Sequence, residues 1–246
     1  TGRNITKLKS TFSDYGYNDN LILIEHDVSN NIPEQIQNID YIFHAAGPME
    51  REIVMNQPIS VILPNTIGTI NCLDFLRKQE KKTGQKGRII IFSSVTVYNN
   101  NTDSDLIAIE SITNNALSLD MPNACYAESK RMSEVIAKSY VKQFGINAVI
   151  ARLSTVYGYS RNIPNTAFFE FINNALSGED IVLSGSGFPR RDNIYVDDAI
   201  NGLLIIAAKG LIGESYNISS GAEKGNFAAV DEIARYIVNS VSSIKG

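Results

Sequence analysis

Short apolar runs alternate along the first part of the chain with longer segments in which apolar residues recur every three or four positions. Because the short runs are rich in β-branched and aromatic residues, they predict strands. These runs are NLILIEH (20–26), IDYIFHA (39–45), RIIIFSS (88–94) and NAVIARL (147–153). Residues 58–82 and 126–144 have the length and spacing of helices, and Gly145 is suited to end the second one. Continuous apolar runs fit strands covered on both faces, so the pattern predicts an α/β fold with a doubly wound parallel sheet.

The regular alternation loosens after about residue 155. The rest of the chain first predicts a helix. It then predicts a short strand, a glycine-rich turn, another helix, another strand and a last helix, at IVL (181–183), GSGFP (185–189), 197–209, SYNIS (215–219) and 227–240. We therefore expect the main sheet in residues 1–155, and in residues 156–246 mainly a smaller lobe that is interleaved with this sheet. A ligand would be held in the crevice at the carboxyl ends of the strands.

The composition is that of an ordinary globular protein. With 246 residues, of which 43% are hydrophobic and 20% charged, the chain can bury a large core. The net charge of −4 and the lack of a dense Lys/Arg run argue against a nucleic-acid partner. No run approaches the ~20 apolar residues that span a bilayer, so we expect a cytoplasmic protein without a membrane partner. Two separated cysteines and two histidines do not predict a metal site.

Polar side chains gather where the predicted strands end. The strand RIIIFSS ends in Ser93 and Ser94, the strand IDYIFHA runs into HAAG (44–47), and CYAESK places Tyr126 and Lys130 one turn apart on the next helix. Each feature alone has a simple structural explanation, since a serine can cap a turn and a tyrosine can fill a core. Because parallel strands bring their carboxyl ends to one edge of the sheet, their joint occurrence in this order indicates a ligand site.

The sequence resembles the extended short-chain dehydrogenase/reductase family, which includes the nucleotide-sugar epimerases and dehydratases. The likeness covers nearly the whole chain and runs in order through LIEHDVSN, HAAG, VILPNTIGTINCL, IIIFSSVTVY, CYAESK, ARLSTVYG, RRDNIYVDDA and YNISSG. It implies a Rossmann-like fold in which residues 1–155 are the dinucleotide-binding domain and residues 156–246 mainly the substrate-binding lobe. It also implies NAD as the cofactor, with NADP as the alternative.

The resemblance implies that Ser94, Tyr126 and Lys130 are the catalytic residues. Tyr126 would exchange a proton with a sugar hydroxyl, and Ser94 would hydrogen-bond the reacting oxygen. A free tyrosine has a pKa of about 10 and is a poor base at neutral pH. A cation one turn away favours the phenolate, which gives Lys130 a physical role beside that of holding the nicotinamide ribose.

Cofactor contacts are implied along the same edge of the sheet. By resemblance they involve Tyr126 and Lys130 again, together with Asp27 and Val28 near the adenine, Ala45, Ala46 and Gly47 along the dinucleotide, and Asn65 behind the site. The sequence contains no G-x-G-x-x-G motif, which normally lets the pyrophosphate approach a helix N-terminus. We therefore expect the first β-α unit of the fold to be missing from this sequence, and the chain by itself to bind cofactor weakly. Arg3 either meets an NADP 2′-phosphate or is an exposed loop arginine.

Substrate contacts are implied for Ser94, Thr96, Thr155 and Arg191. Arg191 matches the arginine that binds the sugar nucleotide's diphosphate, and a guanidinium fork suits phosphate geometry; otherwise it is a surface charge. The family's 4,6-dehydratases carry Asp-Glu directly after the catalytic Ser or Thr, and its decarboxylases keep a Glu at the position of Thr96. Both reactions are therefore disfavoured here. Thr155 replaces an asparagine that is common in the family.

We expect an NAD(P)-dependent nucleotide-sugar epimerase of the 4-epimerase type, which acts through a transient keto-sugar and serves polysaccharide synthesis. The alternatives are a reductase of a keto-sugar or of a non-sugar carbonyl, and a non-catalytic dinucleotide-binding regulator. The partner would be a nucleotide-sugar substrate. By resemblance, the helices over 58–82 and 126–144 would also form a homodimer interface.

Overall fold

The computed structural model describes residues 1–15, 19–98, 110, 118–159, 166–183, 185–221 and 227–245. Its strands are β1 (Tyr41–His44), β2 (Arg88–Ser94), β3 (Asn147–Leu153), β4 (Thr155–Tyr157), β5 (Arg190–Tyr195), β6 (Ser215–Ile218) and β7 (Phe227–Ala229). Its helices are α1 (Ile5–Thr11), α2 (Arg51–Asn56), α3 (Pro58–Thr83), α4 (Ala124–Phe144), α5 (Ala167–Ser177), α6 (Val196–Lys209) and α7 (Val230–Lys245). Short 3-10 helices follow α1 and β2, at Ser13–Tyr15 and Val95–Tyr98.

The main sheet has the strand order β1-β2-β3-β6, and all its neighbouring strands are parallel. Side chains of the central strand β2 alternate between two cores. Ile89 and Ile91 pack into one core together with α3 and α4, whereas Ile90 packs into the other together with α6. All three are essentially inaccessible to solvent, which explains why the strand reads as a continuous apolar run. The predicted doubly wound parallel sheet is confirmed.

A second, smaller sheet has the order β4-β5-β7, in which β4 and β5 are parallel and β5 and β7 antiparallel. Helices α5 and α7 pack on each other through a third core that includes Phe171, Ala234 and Ile237. The chain returns to the main sheet between these elements, because β6 pairs with β3 and α6 covers β2 and β3. A division of the chain at residue 155 into two domains stays a prediction.

Three of the expected elements are wrong. Residues 20–26 do not form a strand, since their only sheet contact with the described part of the chain is an isolated parallel bridge between Gly2 and Glu25. Residues 181–183 are likewise without strand structure. Residues 227–229, expected at the start of a helix, form β7 along β5, and the helix begins at Val230. In each case the assignment depends on whether a neighbouring strand is present, which local pattern does not reveal.

Helix α3 is the one helix in the described ranges that is long and apolar enough to cross a membrane, with a mean hydropathy of 1.3 in its most apolar window. It begins with Pro58 at its first turn and ends at Gly84, which has the left-handed φ of 76° that suits a helix end. Leu73 and Leu76 on its inner face are buried against the main sheet. Packing against the main sheet beside α4 therefore explains part of the apolar character of α3.

Candidate active site

The end of β2 supplies the first candidate side chain. Ser94 is the last residue of the strand, is buried, and its Oγ accepts a hydrogen bond from the Thr96 backbone N–H at 3.3 Å. The chain then turns immediately into the 3-10 helix Val95–Tyr98. This turn holds the Ser94 hydroxyl at the carboxyl edge of the sheet, where ligands bind in open α/β folds.

The first two turns of α4 supply the other two catalytic candidates. Tyr126 and Lys130 are four residues apart, so they lie on one face of the helix. The Tyr126 hydroxyl is hydrogen-bonded to the Ser94 side chain. Lys130 is buried, with its Nζ 5.9 Å from the centroid of the Tyr126 ring. The structure thus brings together the three residues that the sequence motifs singled out.

The Lys130 ammonium is hydrogen-bonded to the backbone of β2. Its Nζ donates to the Phe92 backbone carbonyl at 2.7 Å. Burial lowers the pKa of Lys130 to about 8. Burial raises the pKa of Tyr126, and the hydrogen bond with Ser94 acts in the opposite direction. The pKa of Tyr126 is therefore raised overall, because burial outweighs the hydrogen bond.

His44, the last residue of β1, lies beside this group and was given no role by the sequence motifs. It is buried, and its pKa is lowered to about 4 by burial and by the charge of Lys130, against a smaller opposite effect of a hydrogen bond to the Pro64 backbone. Near neutral pH the imidazole is thus uncharged. Its place at a strand end in HAAG was the available signal.

Asn65 connects the segment after β1 with the start of α4. It is almost completely buried, and its Nδ2 donates to Ser129 Oγ and to the Val61 carbonyl, both at 3.0 Å. Ser129 Oγ in turn donates to the carbonyl of Tyr126 at 3.0 Å. Gly47 lies against the same amide: a Cβ there would be 2.9 Å from Asn65 Oδ1, and its φ of 152° is one that L residues rarely adopt.

The remaining cofactor candidates lie close to this edge of the sheet. Ala45 and Ala46 are exposed directly after β1. Val28 packs against Gly68 of α3. A Cβ added to Gly68 would lie 2.7 Å from Val28 Cγ1 and 3.4 Å from His44 Cε1. The side chain of Asp27 is engaged locally, since its Oδ1 accepts from the Ser29 N–H at 2.9 Å. The side chains of Val28 and His44 therefore both contact α3 at Gly68.

The substrate candidates are divided between the two sheets. Thr96 stands just after Ser94, and its Oγ1 is buried without a hydrogen-bond partner among the described residues. Thr155 is exposed at the start of β4, opposite Asn193 of β5. Arg191 lies on β5 two residues before Asn193 and is also exposed. Its Nη1 donates to the Arg190 carbonyl at 3.1 Å. The structure shows no contact of Arg191 with the Ser94–Tyr126–Lys130 group in the described ranges.

The structure is thus a doubly wound parallel sheet in which a serine at a strand end meets a tyrosine and a lysine from the start of α4. The model of the NAD dependent epimerase/dehydratase family matches residues 4–219. The chain belongs to this family, which confirms the resemblance inferred from the motifs.

Three similar proteins illustrate the relationship. UDP-glucuronic acid decarboxylase 1 of Xenopus tropicalis is 31% identical over 228 residues, which are 92% of this chain and 50% of the relative. The Bordetella bronchiseptica enzyme WbmF in complex with NAD+ has a TM-score of 0.61 and 26% identity, over 82% of this chain and 58% of WbmF. A DesIV double mutant, a dTDP-glucose 4,6-dehydratase from Streptomyces venezuelae with NAD and DAU bound, has a TM-score of 0.79 over 95% of this chain and 68% of DesIV.

DesIV is 23% identical to this chain where the two align, so that likeness shows the fold alone. The chain spans about half the length of the curated relatives that it matches. Within the described residues no group of three His, Cys, Asp or Glu side chains is placed to hold a metal ion.

Proposed function

We propose that the protein is an NAD-dependent nucleotide-sugar epimerase of the 4-epimerase type, which acts through a transient keto-sugar. The observation that carries the proposal is the hydrogen bond between the Tyr126 hydroxyl and Ser94 with the buried Lys130 ammonium beside it. A hydroxyl pair with a neighbouring cation is the arrangement needed to take a proton from a sugar carbinol and to return it. The presence of both Tyr126 and Lys130 argues against a non-catalytic regulator.

The residues present fit a dinucleotide cofactor. Ala45 and Ala46 are exposed and have no side chain beyond Cβ, so a flat ligand can approach the backbone there, while Gly47 lets the chain pack closely against Asn65. We propose that Asp27 and Val28 lie near the adenine end and that Asn65, Tyr126 and Lys130 lie near the nicotinamide end. When bound, the nicotinamide supplies reversible hydride transfer, with NADP as the alternative form.

The chain's own residues then have separate tasks. Tyr126 holds the proton that moves to and from the substrate oxygen, and Ser94 orients that oxygen by sharing its hydrogen bond. The positive charge of Lys130 stabilises negative charge that develops on the Tyr126 oxygen during proton transfer. We propose that Thr96 and Thr155 contact the sugar and that Arg191 binds the diphosphate.

Simple oxidation and reduction of the sugar fits this site better than dehydration. The 3-10 helix after Ser94 begins with Val95 and Thr96, and it contains no acidic residue. Removal of water would need a further acid and base there. A reductase of a keto-sugar or of a non-sugar carbonyl would use the same three residues, and it remains the alternative to epimerisation.

A second candidate reaction is oxidative decarboxylation of a nucleotide-linked uronic acid. It is favoured by the 31% identity to a UDP-glucuronic acid decarboxylase. The presence of Thr96 instead of a glutamate argues against it, because no carboxylate stands at that position of the turn.

The assay that separates these reactions uses the protein at its natural full length with NAD(P) and a panel of UDP-, dTDP-, CDP- and GDP-sugars, including a uronic acid. Epimerisation predicts a product of unchanged mass with altered ring-proton couplings in the NMR spectrum. Loss of carbon dioxide would establish the decarboxylase, and a gain of two hydrogens on a keto-sugar the reductase. Absence of turnover on every sugar would contradict a nucleotide-sugar function.

We also propose that the protein is a cytoplasmic homodimer that serves polysaccharide synthesis and uses the outer faces of α3 and α4 as its interface. Ile59, Leu63 and Ile67 are exposed at four-residue spacing along α3, between 40 and 62% accessible. Met132 and Val135 are about half exposed on the adjacent α4. A second copy of this face would cover the apolar stripe by packing helix against helix.

A further inference from the structure

A buried ion pair lies next to the candidate site and takes no direct part in the chemistry proposed above. Glu134 of α4 and Arg152 of β3 are joined by two hydrogen bonds, from Arg152 Nη2 to Oε2 at 2.7 Å and from Nε to Oε1 at 2.9 Å. Only 7% of the Glu134 side chain and 3% of the Arg152 side chain are accessible. The pair therefore ties helix to strand within the core.

Ser93 extends this link to the strand that carries Ser94. Its Oγ donates to Glu134 Oε1 at 2.5 Å, and it lies opposite Arg152 in the register of β2 and β3. One carboxylate thus accepts three hydrogen bonds, from two neighbouring strands. Because charged hydrogen bonds are directional and strong, the position of α4 along these two strands is fixed at this point.

The other side of Arg152 is also engaged. Its Nη1 donates to the hydroxyl of Tyr98 at 2.7 Å, and Tyr98 donates to Asn217 Oδ1 at the same distance. Tyr98 ends the 3-10 helix that follows Ser94, and Asn217 belongs to β6. The network formed by Ser93, Tyr98, Glu134, Arg152 and Asn217 therefore connects α4 with β2, β3, β6 and the turn after Ser94.

Members of this network are close in sequence to the catalytic candidates. Ser93 directly precedes Ser94, and Glu134 lies one helical turn after Lys130 on the face that also carries Tyr126. The hydrogen bond between Ser94 and Tyr126 joins the same two elements, β2 and α4. A shift of α4 along β2 would break this hydrogen bond, and the contacts of Glu134 oppose that shift.

Stability alone does not account for such a network. Taking two charges out of water offsets most of their attraction, so a buried ion pair is often no more stabilising than apolar residues of equal volume. What the pair does provide is a defined geometry, since only one alignment of helix and strands satisfies all its hydrogen bonds.

We propose that Glu134 is a positioning residue that, through Ser93 and Arg152, holds the Tyr126 and Lys130 helix in register with Ser94. This inference rests on the proposed function of the Ser94–Tyr126–Lys130 group. It assigns no contact with substrate or cofactor to Glu134 itself.

Two variants test the inference in the protein at its natural full length. Ser93→Ala removes the link to β2 and keeps the ion pair, while Glu134→Gln removes the charge and keeps the shape. Because misplacement of a catalytic group by about 1 Å lowers rates by up to ~10²-fold, we expect kcat to fall at least about tenfold in both, with KM changed less than about twofold. Ser93→Thr, which retains the hydroxyl, should recover most of kcat.

The matched control is Gln79→Met. Gln79 is also buried in a long helix next to the sheet, where its amide hydrogen-bonds the Ile39 N–H at 2.8 Å and the Ile39 carbonyl at 3.0 Å, at a distance from the network. Loss of these amide hydrogen bonds in Gln79→Met should lower the melting temperature without lowering kcat. Unchanged kcat in Ser93→Ala and Glu134→Gln, or an equal fall in the control, would overturn the positioning role.

A second readout needs no substrate and therefore separates this inference from the proposed function. Tyrosine labelled with ¹³C at Cζ gives an NMR signal for Tyr126, identified by its loss in Tyr126→Phe, that reports the hydrogen bond at its hydroxyl. We expect this signal to move in Ser93→Ala and Glu134→Gln and to stay in place in Gln79→Met. If the wild type turns over no nucleotide sugar but the signal moves, the proposed function fails and the positioning role stands. If the signal does not move, the positioning role fails.

Discussion

Burial acts on the two basic side chains at the centre of the site with different consequences. It lowers the pKa of Lys130 to about 8, so that Lys130 is still a cation at neutral pH. It lowers the pKa of His44, helped by the charge of Lys130, to about 4, so that His44 is neutral there. The site therefore combines one positive charge with an uncharged imidazole, and both states have a measurable effect on stability.

His44 should make the protein less stable in mild acid. Between pH 6.5 and pH 4 the unfolded chain binds a proton on this residue and the folded protein does not, so the free energy of unfolding falls as the pH decreases. The difference between the pKa of His44 in the unfolded and in the folded state corresponds to about 3 kcal/mol of stability. Urea unfolding of wild type and His44→Gln between pH 7 and pH 4 checks this, with a shallower decline expected in the variant. Equal slopes would show that His44 is not held neutral.

Lys130 should lower stability at neutral pH, because the folded state buries a charge that the unfolded state hydrates. Between pH 8 and pH 10.5 the unfolded chain binds the extra proton, so stability rises with pH in that window. Lys130→Met should therefore be about 1 to 2 kcal/mol more stable than wild type at pH 7, after allowance for the lost hydrogen bond to Phe92, and should be inactive.

Thermal unfolding at pH 7 and pH 9.5 checks this prediction, with a smaller difference between wild type and variant expected at the higher pH. An active Lys130→Met would instead show that the ammonium has no part in the chemistry.

Among the elements, two central strands and the two long helices could be predicted closely from the sequence. Strands β2 and β3 have the bounds that their apolar runs indicate, and α3 and α4 differ from the expected helices by no more than two residues at an end. Residues 20–26 have an equally apolar run, but among the residues that the structure describes they pair only through the bridge between Gly2 and Glu25. For β7 the deciding partner is β5, some 37 residues earlier in the chain, so its strand character is not a local property.

The site was predictable to the extent that its residues form local motifs. Ser94, Tyr126 and Lys130 stand at a strand end and a helix start, where position alone suggests a role. The pairing of Glu134 with Arg152 arises from tertiary contact and could not be predicted in this way. A signal was nevertheless present, because an arginine inside the apolar run NAVIARL must find a buried partner.

The end of α4 provides a test of the helix geometry. Gly145 has φ of 69°, and a Cβ there would meet nothing within 4 Å, so its replacement is strained through the backbone alone. Gly145→Ala should lower the free energy of unfolding by about 1 kcal/mol. Gly185→Ala is the matched control, since that position is equally open and has no positive φ that disfavours a side chain. Urea denaturation of both should show a loss in Gly145→Ala only; equal losses would contradict a left-handed helix end.

At the scale of the whole molecule, the exposed apolar stripe on α3 and α4 predicts that a charge there prevents dimerisation. Leu63→Glu would place a carboxylate in the middle of the proposed interface, next to Ile59 and Ile67, where it cannot be solvated. We expect the mass in solution to change from dimer to monomer in sedimentation or light scattering. Val182→Glu, at a residue 79% exposed outside α3 and α4, is the control and should remain dimeric. A monomeric wild type would contradict the proposed interface.

The proposed function requires that the Tyr126 hydroxyl, hydrogen-bonded to Ser94 and next to the Lys130 ammonium, moves the proton in a reaction on a nucleotide sugar. The most direct measurement compares the full-length wild type with Tyr126→Phe in the proton NMR assay, on whichever nucleotide sugar the wild type converts. Phenylalanine keeps the ring and its packing and removes only the hydroxyl, so we expect kcat to fall by a factor of about 10² to 10⁴ with the fold unchanged. A Tyr126→Phe variant that converts the sugar at the wild-type rate would contradict the account.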